Sequence, residues 1–219
     1  MIYIENVFIC IAAPLLIAIM CTDKRSRPAF VFFIAGMGMC LLSAYINTFF
    51  ASYYGADITQ ATVELAPPIE EIMKLLPLLF FLLIFEPKRK EAKRAILLIS
   101  AGFATFGNVC YLIENGASHL LFLLMRGFGT GAMHIVCGAI VGQGLIYVWK
   151  LPWLKVAGTF GLLCNAITFH AIYNLLLSVG GIVQTIGLLI PVFTVFAGIG
   201  LSRLIRSKLL QKYGNIRTE

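Results

Sequence analysis

The sequence predicts an all-α, polytopic membrane protein of about seven transmembrane helices, with its N-terminus outside and its C-terminus cytoplasmic, and three observations carry that prediction. Sixty percent of the 219 residues are hydrophobic and only 12% are charged, with a mean hydropathy of +0.92, a balance that excludes an ordinary soluble domain and requires lipid as solvent. Seven apolar stretches, 2–21, 29–51, 65–85, 95–117, 127–149, 156–178 and 182–202, reach the roughly 20 residues a helix needs to cross the hydrocarbon. Fifteen of the 17 basic residues fall on one side when these stretches alternate, and by the positive-inside rule that side is cytoplasmic.

Each stretch is bounded by its own signals. The first is followed by Lys24, Arg25 and Arg27 and lacks a basic leader and a small-residue cleavage end, so it is expected to be retained. The second leads into an external segment, 52–64, without Lys or Arg. The third opens at Pro67 and Pro68 and is followed by Lys88, Arg89, Lys90, Lys93 and Arg94. Between the fourth and fifth, 116–126 holds only Arg126, expected at the mouth of the fifth helix and able to snorkel to the headgroups. The fifth contains the glycine-rich RGFGTGAMHIVCGAIVGQG, a pattern that lets membrane helices approach closely, and ends at Lys150 and Lys155. The seventh runs into a basic tail over 203–219, with Arg203, Arg206, Lys208, Lys212 and Arg217. The expected organisation is one integral membrane domain over 1–219 in the plasma membrane, with a helical core at about 65–178. The net charge of +7 is explained by a basic inner face beside anionic lipid, so no nucleic-acid partner is expected. The six cysteines lie in apolar segments without C-x-x-C spacing and read as small core residues, not ligands or disulfides.

What remains is a short set of polar residues misplaced in lipid. LAPPIEEIMKLLPLLFFLLIF, 65–85, places Glu70, Glu71 and Lys74 in a spanning helix, where each ionised group costs roughly 2.5–3.5 kcal/mol at mid-bilayer. His134 lies about two turns into the fifth helix, and His170 and Asn174 lie in NAITFHAIYNLLLS of the sixth. Counted from the external ends, all of them fall within roughly 6–12 Å of the boundary at 1.5 Å per residue. Glu70 and Lys74 are i,i+4 and Glu71 and Lys74 are i,i+3, so one lysine serves either carboxylate, leaving one glutamate ionised and the other free to take a proton. His170 and Asn174, also i,i+4, present an imidazole and an amide from one helical face, which suits joint donation to a carbonyl oxygen. A carboxylate that activates water, opposite two donors aimed at an oxyanion, is the equipment for peptide hydrolysis. The plainer readings are a Glu–Lys pair that locks helices together and histidines that make interhelical hydrogen bonds.

Four ordered segments, EEIMK (Glu70 to Lys74), AGFATFGNVCYL (Ala101 to Leu112), RGFGTGAMHIVCGAIVG (Arg126 to Gly142) and FHAIYN (Phe169 to Asn174), resemble the motifs of the PrsW-type glutamic intramembrane proteases, distant relatives of the CAAX-prenyl proteases and the CPBP or Abi group. The resemblance implies an intramembrane endopeptidase that cleaves transmembrane or membrane-anchored proteins near the external face. It implies Glu70 as general base, Glu71 as its partner with Lys74, His134 as a ligand for water or substrate, and His170 with Asn174 as oxyanion donors. Asn108, Glu114 and Arg126 are expected to support the site. The chain departs from the family pattern in the second motif, where Gly107 stands in place of the usual glutamate before Asn108; Glu114, two turns on, is either a substitute at the substrate entrance or an interfacial residue. No cofactor is expected; the alternative is Zn²⁺ held by Glu70, His134 and His170, a His₂Glu set that suits a hydrolase. Two other functions compete with the protease: a catalytically degenerate relative that binds or regulates membrane proteins, and a small transporter that uses the same groups as a proton relay.

Overall fold

The computed structural model describes residues 3–116 and 119–214, and among them the only regular secondary structure is helical. Seven long helices follow one another: α1 (Ile4–Cys21), α2 (Arg27–Tyr54), α4 (Ala66–Phe85), α5 (Arg89–Asn115), α6 (Leu120–Val148), α7 (Leu154–Val179) and α8 (Gly181–Gly214). Between α2 and α4 a single turn, α3 (Ile58–Gln60), leads through a π-helical turn, Ala61–Leu65, directly into α4. Six of the seven are long and apolar enough to cross a membrane, against the seven spans expected. The exception is α4, whose 20 residues are long enough but hold Glu70, Glu71 and Lys74 in every membrane-length window. Arg217, at the end of the expected basic tail, lies outside the described residues.

Local chemistry explains the boundaries. Gly55, at φ +62°, closes α2 in the left-handed conformation that glycine adopts without a Cβ clash. The Asp57 carboxylate accepts from the Gln60 backbone N–H at 2.8 Å and starts α3. The Glu91 carboxylate accepts from the Lys88 backbone N–H at 2.8 Å, so α5 begins inside the basic run and not at 95. The run LLFLLM has no breaker, and α6 therefore begins at Leu120, two turns before the expected 127. Arg126 is consequently inside the helix instead of at its mouth.

Two apolar clusters hold the bundle. The larger joins α4 to α8 around Leu75, Leu78, Ile96, Ile99, Met133, Cys137, Leu145 and Leu188; the smaller joins α1, α2 and α5 around Met37, Cys40, Phe103 and Phe106. Large side chains such as Phe80, Leu83, Ile84 and Phe196 point outward, while the buried set includes Ser43, Glu71, Lys74, Ser100, Thr130, His134 and His170. That inversion of the soluble pattern is what lipid as solvent demands. The cysteines are free: Cys40 and Cys137 are core residues as expected, whereas Cys10, Cys21 and Cys164 face outward.

The backbones of α2 and α5 touch. A Cβ on Gly36 would land on the Ile99 carbonyl oxygen, and one on Gly102 would land on that of Phe33, so the two glycines are reciprocal requirements of one crossing. Gly102→Ala or Gly36→Ala should each lower the thermal midpoint of the purified protein, by overpacking that costs about 1–3 kcal/mol. Gly198→Ala, where a Cβ meets nothing within 4 Å, is the control and should leave the midpoint unchanged or slightly raised. Differential scanning fluorimetry in detergent reads all three.

Candidate active site

The site is built from α4, with α6 and α7 closing around it. Successive turns of α4 bring Glu71 and Lys74 together, and the Glu71 Oε1 atom accepts from Lys74 Nζ at 2.6 Å and from His170 Nδ1 of α7 at 2.8 Å. Their side chains are 1% and 5% exposed for Glu71 and Lys74 and 3% for His170, so this is an ion pair out of water, tolerable because the charges meet directly and the shared oxygen has two donors. Lys74 Nζ also lies 3.1 Å from His134 Nδ1 of α6. An ammonium has donors only, so Nδ1 accepts and the His134 ring proton sits on Nε2. His170 is fixed in the opposite sense: Nδ1 donates to Glu71, which leaves Nε2 as the acceptor.

Glu70 completes the group from the more open side. Its carboxylate is 20% exposed and comes no closer than 3.8 Å to His170 Nε2, and among the described residues nothing donates a hydrogen bond to it. The two imidazoles stand edge to face with centroids 5.2 Å apart, and Phe103 of α5 packs against His134 at 5.0 Å and under the Lys74 ammonium at 5.2 Å. Glu70, His134 and His170 each offer one ligand atom, and the three atoms lie within 4.8 Å of one another. Donor types and spacing both fit a divalent cation.

The remaining candidates divide. Asn174 is not directed into the cluster: its Nδ2 donates to the Thr62 backbone carbonyl at 2.9 Å. The reason lies in the π-helical turn, where Ala66 N–H bonds five residues back to Ala61. The next donor in that register would be residue 67, a proline without an N–H, so the Thr62 carbonyl is orphaned and the amide of α7 takes its place. The i,i+4 spacing with His170 places Asn174 on the right face, yet this carbonyl claims it. Asn108 of α5 accepts from Arg126 Nη1 of α6 at 2.7 Å, and this pair lies apart from the cluster, about two turns nearer the N-terminal end of α6 than His134. Glu114 is exposed on α5. A Cβ on Gly107 would meet only Cys40 Sγ at 3.6 Å, ordinary contact, so the departure leaves room on the α2 side, beside Cys40. Sequence reading missed Phe103 as a site wall and the buried pair of Thr130 Oγ1 and Tyr173 Oη at 2.8 Å. The signal for that pair was present: Thr130 is i−4 from His134 and Tyr173 is i+3 from His170.

A helical membrane bundle that gathers two glutamates, a lysine and two histidines in its interior is a membrane-embedded protein with the side chains of a hydrolase. The chain belongs to the PrsW family: residues 25–199 match the family described as PrsW family intramembrane metalloprotease, which supports an intramembrane protease acting on membrane-embedded peptides. The match extends well beyond the core of about 65–178 expected from the motifs and takes in α2 and most of α8. No solved structure matches the chain. The expectation of no cofactor is corrected here, since the family description is of a metalloprotease and Glu70, His134 and His170 form a group able to hold a metal ion. The three donors come from three different helices, α4, α6 and α7, so no short motif on one helix announces them.

If Asn174 serves the π-helical turn, Asn174→Ala should destabilise the protein by about 1 kcal/mol through the unpaired carbonyl, read as a lower thermal midpoint. Asn174→Asp, which cannot donate when ionised, should behave like the alanine variant. An unchanged midpoint with lost activity would instead assign Asn174 to the chemistry.

Proposed function

We propose that the protein is a metal-dependent intramembrane endopeptidase, a single membrane domain of the plasma membrane that hydrolyses peptide bonds of membrane-anchored proteins near the external face. The observation that carries this reading is the convergence of Glu70, His134 and His170. These three would hold the ion, with zinc the best match to the donor set. When bound, such an ion polarises the scissile carbonyl and lowers the pKa of water.

The chain's own residues do the rest. Glu71 accepts from His170 Nδ1 and so fixes the imidazole with Nε2 free, the outer-sphere arrangement that orients a ligating histidine. Lys74 offsets the charge of Glu71 in the dry interior. Glu70 has two oxygens without a donor, so one serves as a ligand while the other takes a proton from the attacking water and returns it to the departing amine. Gly107 does not decide against turnover in this reading, because the group is complete without a carboxylate there; that favours the protease over the degenerate relative.

His134 carries a consequence. Its Nδ1 accepts from Lys74, so ligation through Nδ1 requires Lys74 to leave, and ligation through Nε2 requires the ring proton to move to Nδ1 and face an ammonium. Either way the Lys74 contact changes; on the second route the imidazole keeps its one proton, now on Nδ1, and the Lys74 ammonium gives up one to solvent so that Nζ can accept from Nδ1–H. Titrating metal-free protein with Zn²⁺ in weak buffer should release about one proton more from the wild type than from Lys74→Met. Elemental analysis should find about one divalent ion per chain, and His170→Ala should lose it. Chelation should abolish cleavage of a single-span peptide and zinc should restore it, while Glu70→Gln should lower turnover about 100-fold or more with the fold retained. Full activity in rigorously metal-free protein would defeat the proposal.

The one-sided distribution of basic residues supports an external N-terminus, and cleavage near the external face rests on that orientation. A reporter fused after Glu219 should be cytoplasmic and one inserted at Ala56 external; finding both on one side would move the site to the wrong face.

A further inference from the structure

A second polar feature leads away from the Glu–Lys–His group. Arg126, Thr130 and His134 stand at i, i+4 and i+8 and so share one stripe of α6. At its inner end His134 meets His170; one turn nearer the N-terminal end of α6, Thr130 meets Tyr173 at 2.8 Å; the stripe ends at Arg126. The Arg126 guanidinium is held from α5 on two sides, its Cζ 3.4 Å from the Tyr111 ring centroid and its Nη1 2.7 Å from Asn108 Oδ1. Arg126 lies about 9 Å from the start of α6 and Asn108 about 10 Å from the end of α5 at 1.5 Å per residue, so the side chain runs across the bundle at one level. A snorkelling arginine would reach outward instead.

Among the described residues no carboxylate comes within 4.0 Å of Arg126; the acid in electrostatic reach is Glu114, one turn beyond Tyr111 and exposed. The guanidinium's one described side-chain hydrogen bond leaves most of a five-donor fork open, and that fork matches a carboxylate in shape and charge. A cation fixed by a stacked ring and a neutral amide, at the end of a polar stripe that starts at the candidate active site, is a subsite awaiting an anion.

We infer that Arg126, positioned by Asn108 and Tyr111, binds a carboxylate of the substrate three or four residues from the scissile bond, toward the N-terminal end of α6, and thereby selects which bond is cut. The spacing follows from geometry: eight residues of helix separate Arg126 from His134, about 12 Å, which an extended strand covers in three to four residues at about 3.3 Å each. The inference rests on the protease reading for its scissile bond, but not for its binding. The carboxylate is that of an Asp or Glu side chain or of a free C-terminus.

The test is a series of dye-labelled single-span peptides with one Glu scanned over eight positions from the cleavage site, an all-Gln parent, and truncated peptides ending three or four residues out as acid or amide. For the wild type, kcat/KM should peak at the third or fourth position, about tenfold or more above the parent. In Arg126→Gln the peak should vanish, so that the ratio of kcat/KM for each Glu peptide to that for the all-Gln parent falls to about one; Arg126→Lys should keep part of the peak. A preference for acid over amide only among the truncated peptides would assign the site to a C-terminus, and a peak only in the internal scan would assign it to a side chain. A flat scan for an active wild type overturns the inference, as does equal loss by Arg126→Gln on every peptide with the fold intact, which would make Arg126 a structural clamp. Peptide binding measured by fluorescence anisotropy decides the matter without turnover. Tighter binding of the Glu peptide than of its parent, lost in Arg126→Gln, sustains the subsite even if the protease reading fails; equal binding of both by the wild type refutes it.

Discussion

The structure depends on one oxygen atom. Glu71 Oε1 receives both Lys74 Nζ and His170 Nδ1, and Lys74 passes the connection on to His134, so α4, α6 and α7 are joined through a single buried carboxylate. In a membrane interior the apolar side chains supply no strong preference for one helix arrangement over another, since lipid solvates them as well as protein does. A charged network of this kind has few alternative partners and therefore fixes the relative positions of the three helices. The groups that hold the bundle together are the groups that orient the candidate ligands, so structural and chemical demands on Glu71 and Lys74 coincide.

Around this network the bundle is arranged in layers of increasing tolerance. Phe103 closes the floor beneath His134 and Lys74 and ties it to the apolar cluster of α1, α2 and α5. Toward the N-terminal end of α6 the seam with α7 stays polar through Thr130 and Tyr173. On the opposite flank the entry to α4 is made from a π-helical turn and two prolines, a segment whose missing backbone donors have to be met from another helix. Glu70 sits at the border between the dry network and this looser entry, which explains why it alone of the two glutamates is partly exposed.

Much of this was legible in the residues. Apolar length and basic loops predict the helices, because hydropathy measures the same transfer that the membrane imposes. The spacing of Glu70, Glu71 and Lys74 predicts their local pairing, since i,i+3 and i,i+4 contacts follow from one helix alone. The contacts between Lys74 and His134 and between Glu71 and His170 depend on the register between helices, on which spacing within a helix is silent. Asn174 shows the limit well: its face was readable, its partner was not, because that partner exists only through a π register followed by Pro67. The metal expectation failed for a related reason. Spacing within one helix is local, whereas the donor set is dispersed over α4, α6 and α7.

The placement of three charged residues on α4 also bears on how the chain is made. Each ionised residue near the centre of a helix disfavours insertion by roughly 2.5–3.5 kcal/mol, less toward the ends, and every 18-residue window of α4 holds Glu70, Glu71 and Lys74, whereas each of the six other long helices has such a window with no more than two charged residues. Lys74 and Glu71 neutralise one another within the helix as soon as it forms, but His134 and His170 belong to α6 and α7, which are synthesised later. For that interval α4 is a half-finished element, and the nascent protein has to shelter it until its partners emerge from the ribosome. Biogenesis of this fold is thus ordered by the chemistry of its centre: the helix that carries the most reactive groups is committed to the membrane before the helices that make it stable there.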